Sequence, residues 1–186
     1  MARKVPSPTP VAHCISSFIR YAMTQPLLTP ALHQAATTWI ESLERHAQTS
    51  GRTLVARECA MAAEVGVCHP ERIRVLEIDS FPQPPDPQLL AAAQAAGPLG
   101  PSTIGLPAGY GILLRRGFQV DARVLSHECR HVSQYECAGS VSAFLAAYLD
   151  QVLRYGYHLA PLEQDARAHE RPAYSSGLDN ANASPL

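Results

Sequence analysis

Residues 124–136 read VLSHECRHVSQYE, and His127-Glu128-Cys129-Arg130-His131 within them has the H-E-x-x-H spacing. On an α-helix each residue advances about 100°, so positions four apart lie only about 40° from one another. His127 and His131 can therefore aim two ring nitrogens at one ion about 2.0–2.1 Å away. Glu128 stands about 100° round from His127. That is too far round for an easy ligand, but suits a carboxylate that reaches a metal-held water. Hydrolysis needs this division of labour, in which an ion acidifies water and polarises a carbonyl while a glutamate carries the proton.

The flanking residues support a helix. Asp121 is a good N-cap and Gly139 a good terminator. A catalytic zinc takes three protein ligands and keeps one open position. Glu136, His158, Glu163 and His169 lie downstream as candidates for the third. Glu136 is about 140° round the same helix from His131 and faces away. Glu163 lies in PLEQDAR, at the start of the second helix after the motif, which short antiparallel connections would return toward the imidazoles. Glu163 is the expected ligand and His158 the second choice, although an acidic residue in a first turn also stabilises a helix dipole. Gln134 lies about 20° from His127 on the helical wheel, within reach of the site or of a partner helix. Asp165 could orient a ligand histidine, and Tyr155 or Tyr157 could offer a phenol to an oxyanion.

With SHECRH, some thirty residues of helix and then PLEQDAR, residues 103–170 resemble a zincin metallopeptidase of the glutamate-ligand kind, a gluzincin. The resemblance implies Glu128 as general base, and His127, His131 and Glu163 as ligands of Zn2+. HECRHVSQYE also resembles uncharacterised bacterial domains in which a glutamine, here Gln134, follows H-E-x-x-H three residues on. Zincins carry an edge strand ahead of the motif helix that pairs with extended peptide, and TIGLPAGYGILL stands in that place. No N-E-x-x-S-D surrounds Glu163, and no third histidine follows at the metzincin spacing.

Elsewhere the chain is largely helical. Prolines 6, 8 and 10 mark an extended arm over 1–10, and a short helix is expected from Val11 to Met23. Pro30 opens a helix with Leu32, Ala36, Trp39, Ile40 and Leu43 on one face, stopped by Gly51. TLVARECAMAAEVG suggests another helix, closed by Gly66. RIRVLEID (72–79) is the best strand candidate, LLAAAQAAG a short helical piece, and 103–117 a strand or hairpin. After Gly139, Ser140 or Ser142 can cap a helix with Val141, Phe144, Leu145, Tyr148, Leu149 and Val152 in a stripe. The expected fold is α+β, mainly helical and zincin-like. A small sheet or hairpin packs on the motif helix, with helices N-terminal to it. One domain is expected over 11–171 and a flexible tail over 172–186.

Composition narrows the function. A formal net charge of −1 over 186 residues gives no reason to expect nucleic acid as a partner. Of the 15 basic residues only Lys4 is lysine, a bias of genomic base composition. No apolar run is long enough to span a membrane. The 5 cysteines include no C-x-x-C pair, which argues against a disulfide framework and favours a reducing, cytoplasmic setting. The expectation is a cytoplasmic zinc metallopeptidase acting on a peptide or protein substrate. The alternative is a non-catalytic zincin-like interaction module with a structural metal or none. Oligomeric state is not legible.

Overall fold

The structure is a computed structural model that describes residues 28–96, 99, 102–118 and 121–172. The arm over 1–10, the helix expected at 11–23 and the tail from 173 onward lie outside the described residues. The described part is mainly helical with one small mixed sheet, an α+β arrangement.

Helix α1 spans Pro30–Ser50, with Pro30 at the first turn and the Thr29 hydroxyl accepting from Leu32 N–H. Strand β1, Arg52–Thr53, follows immediately. Residues 53–55 were expected to be helical, but the chain spends them on β1 and its exit, so helix α2 covers only Ala56–Glu64. Strand β2 is Arg74–Ile78, helix α3 Pro87–Ala96, strand β3 Gly105–Ala108 and strand β4 Gly111–Arg115.

The stretch 103–117 is a hairpin. Gly109 (φ 56°) opens its two-residue turn as the sole non-negative φ there, the pattern of a type II′ turn. The strand order is β1-β2-β4-β3, with β2 and β4 parallel and the two outer strands antiparallel to their neighbours.

Strand β4 alternates. Ile112 and Leu114 join Val75, Ile73 and α2 in one apolar cluster, while Leu113 joins α1 in the other. Helix α4, Ala122–Ala138, carries the H-E-x-x-H motif and adds Leu125, Cys129 and Val132 to the first cluster. Its apolar spacing of three and four residues commits one face to the sheet. The histidines consequently face elsewhere, toward helix α5 (Val141–Tyr155) and helix α6 (Pro161–Ala168).

The ends of α4 form as the sequence suggests. The Asp121 carboxylate accepts from the N–H groups of Arg123 (3.0 Å) and Val124 (3.1 Å). Gly139 takes the left-handed conformation, φ 79°, that closes the helix. Ser140 then caps α5 through Ala143 N–H at 3.1 Å. Cys59, Cys68 and Cys129 are free thiols, whereas Cys137 is disulfide-bonded. Three free thiols agree with the absence of a disulfide framework, and the bridged Cys137 was not foreseen.

Because Asp121 satisfies two backbone donors that nothing else in the helix can reach, Asp121→Ala should destabilise the protein by about 1 kcal/mol. Asp121→Asn should recover most of that loss. Urea unfolding monitored by circular dichroism measures both, and equal stability of wild type and Asp121→Ala would refute the cap.

Candidate metal centre

Helix α4 projects His127 and His131 one turn apart on the face that meets α5 and α6. Their Nε2 atoms are 3.2 Å apart. Helix α6 enters after Pro161 and delivers Glu163, whose Oε2 lies 3.6 Å from His127 Nε2 and whose Oε1 lies 3.3 Å from His131 Nε2. Bonds of about 2.0–2.1 Å at tetrahedral angles set neighbouring donor atoms roughly 3.3–3.4 Å apart. The two contacts use different oxygens of Glu163, and one ligand atom from each of the three side chains lies within 4.8 Å of the others, so together they could hold a metal ion. Among the described residues no other such group occurs.

The hydrogen-bond network around the imidazoles assigns their protons. Gln134 Nε2 donates to the Leu162 carbonyl (3.0 Å) and to Asp165 Oδ2 (2.7 Å), so its amide nitrogen is fully used. Its Oε1 therefore faces His131 Nδ1 at 2.8 Å, and only a proton on Nδ1 makes that contact a hydrogen bond. His127 Nδ1 meets the Glu170 carboxylate at 3.2 Å, which again calls for a proton on Nδ1. In the neutral rings both Nε2 atoms then carry lone pairs, and both point at the Glu163 carboxylate. Three electron-rich groups converge on one point, the donor set a cation requires.

Further bonds hold these partners. Arg130 grips Asp165 with Nε and Nη2 at 2.7 and 3.0 Å and donates Nη1 to the Val65 carbonyl at 2.9 Å. Burial opposes the charge on Asp165, but the donors Arg130 and Gln134 hold its carboxyl below its ordinary range. Glu163 is only 1% exposed. Burial pushes its carboxyl up as well, yet protonated His127 and His131 and the Tyr148 hydroxyl, which donates at 2.8 Å, together hold it well below the usual carboxylate range, a place that a cation would take beside the neutral rings. Arg167 adds a weaker contact at 3.4 Å.

Glu128 occupies a different wall. It packs so closely on Gly105 of β3 that a Cβ there would overlap its carboxylate. The side chain is 6% exposed, and burial raises its pKa. Among the described residues its buried Oε2 has no hydrogen-bond partner. Such an orphan is costly, on the order of 1–3 kcal/mol, unless a proton donor comes to it.

Each candidate from the sequence now has a place. His127, His131 and Glu163 meet, and Glu128 lines the same cleft. Glu136 points away and accepts from the backbone of Cys68 (2.6 Å) and His69 (3.0 Å) and from the Tyr110 hydroxyl (2.9 Å). His158 is exposed, and its carbonyl accepts from Arg167. His169 binds the Asp165 carbonyl through Nδ1. Tyr155 is exposed, while Tyr157 lines the cleft. Asp165 acts through Gln134 rather than on a histidine of the site. Sequence reasoning did not single out Tyr148, Glu170, Arg130 or Gly105. Tyr148 stood inside an apolar helical stripe, and the others depend on contacts between distant segments.

No protein-family model, curated protein or solved structure matches the chain.

Gln134 orients His131 and ties it to α6, so Gln134→Leu should weaken metal affinity about 10–100-fold, the usual effect of losing an outer partner. Glu136→Ala should leave it unchanged. Zinc titration against a chromophoric chelator reads both, and equal losses would place the site elsewhere on α4.

Proposed function

We propose that this protein is a zinc-dependent hydrolase of amide bonds, as a metallopeptidase is, with Glu128 as general base. The observation that carries the reading is the convergence of two imidazole rings and one carboxylate in the cleft that also holds the partnerless oxygen of Glu128. Two histidines and a carboxylate, with room for one more ligand, form the donor set of many catalytic zinc sites. A zinc ion held by His127, His131 and Glu163 would supply a Lewis acid that polarises the scissile carbonyl and acidifies water.

The chain's own residues do the rest. Glu128 Oε2 accepts the proton of the attacking water and later hands it to the leaving nitrogen, so the same atom serves as base and then as acid. Gly105 keeps the space that lets Glu128 lie against β3 instead of swinging toward the ligands. Gln134 and Glu170 keep the imidazole protons on the outer nitrogens. Tyr148, by donating to Glu163 Oε1, sets the orientation of that carboxylate. Tyr157, on the cleft wall, donates its phenol to the Glu163 carboxylate. Among the described residues no helix is long and apolar enough to cross a membrane.

Glu128→Gln should keep stoichiometric zinc and the fold while lowering amide hydrolysis about 10²–10⁴-fold. Gly105→Ala should also keep zinc but cost activity, because the added methyl displaces the Glu128 carboxylate. A substrate screen with zinc-loaded wild type, together with metal analysis of each variant, provides the readout. If wild type and Glu128→Gln are equally silent yet bind a common partner, the non-catalytic interaction module replaces this reading.

A further inference from the structure

The cleft that holds the metal-binding group and Glu128 extends away from them between α1, α3 and α5. Its cavity volume is about 110 Å³, which suits a slender chain better than a bulky, drug-sized ligand. Beyond the site its wall is almost wholly apolar, with Trp39 and Phe144 the largest side chains and Ile40, Leu89, Leu145 and Leu149 beside them. Ala36, Ala92 and Ala93 line it where larger residues would fill it. Leu153, at the wall, is 46% exposed, so apolar surface stands open to whatever enters.

Strand β3 bears on the same question. Arg115 N–H donates to the Ile104 carbonyl, so in this antiparallel register Leu106 and Ala108 also face β4, and Gly105 and Pro107 face the open edge. Pro107 has no N–H, and its carbonyl accepts from Tyr135 at 3.4 Å. Within β3 that leaves only the N–H and C=O of Gly105 for main-chain pairing. The edge is a poor template for an extended polypeptide.

We infer that the cleft binds a linear apolar acyl or alkyl chain of the substrate, whose amide carbonyl lies at His127, His131, Glu163 and Glu128. The substrate is then a lipophilic amide rather than an extended polypeptide. This rests on the hydrolase reading and narrows its amide substrates to fatty-acyl amides. Affinity comes from burial of methylenes in the cleft, where an extended peptide would need a ladder of backbone bonds.

The full chain, zinc-loaded, is titrated with the series acetohydroxamate, butyrohydroxamate, hexanohydroxamate and octanohydroxamate, whose zinc-binding end is constant. Affinity should rise roughly fourfold per added methylene until the cleft is filled. Ala92→Trp, or Ala93→Phe if that variant fails to fold, should abolish the rise and leave acetohydroxamate binding intact. In a second arm, n-octanol is added to chelator-treated protein. Trp39, the sole tryptophan, lines the cleft, so its emission should shift. Equal affinity across the series, or no response of Trp39 to n-octanol, overturns the apolar-chain proposal while zinc binding and the Glu128→Gln result still stand. Failure to take up zinc overturns the hydrolase reading and the proposal with it.

Discussion

The buried charge of Glu163 is the constraint around which the C-terminal half is built. An isolated carboxylate removed from water costs several kcal/mol or more, so a side chain 1% exposed must be met by donors or cations from its surroundings. Helix α4 brings His127 and His131, α5 brings Tyr148, and α6 itself adds Arg167. Three helices are fixed to one carboxylate, and short connections around Gly139 and Gly156 make that geometry reachable. A cation between the imidazoles and the carboxylate satisfies all three at once, whereas the neutral rings alone turn lone pairs toward a negative charge.

Helix α4 distributes three tasks around its circumference. Leu125, Cys129 and Val132 pack on the sheet, and His127, His131 and Gln134 face α6. Glu128 turns to the edge strand, and Glu136 anchors the loop at Cys68 and His69 from a further direction. Because the sheet-facing stripe is buried on a rigid surface, rotation of the helix is not free, and the histidines inherit their orientation from apolar packing. The Arg130–Asp165–Gln134 chain then adds finer control, linking α4 to α6 through bonds of 2.7 to 3.0 Å.

The edge strand and the cleft pull the substrate question in a consistent direction. Gly105 gives Glu128 its place, and Pro107 next but one in the strand removes a donor from the same edge. What the backbone withholds, the apolar wall from α1, α3 and α5 supplies. Specificity in such a site would come from shape and methylene burial, with the polar groups concentrated at the reacting end.

Much of the local structure was legible in the sequence. The i, i+4 imidazoles, the Asp121 and Gly139 ends of α4, the strand or hairpin over 103–117 and the outward direction of Glu136 all follow from helix periodicity and local patterning within a few residues. Glu163 was reachable one step further, because short loops leave successive helices little choice but to return. The two-residue strand β1 and the roles of Tyr148, Glu170 and Gly105 were not legible. Each depends on a partner tens of residues away whose distance no local pattern encodes. So the sequence by itself determined a helix with two imidazoles on one face and a carboxylate beside them. The tertiary structure decided which nitrogen of each ring is free, where Glu128 rests and what kind of cleft opens onto it. Periodicity governs relations inside one segment, whereas relations between segments are settled by how the whole chain buries its apolar faces and pairs its buried charges.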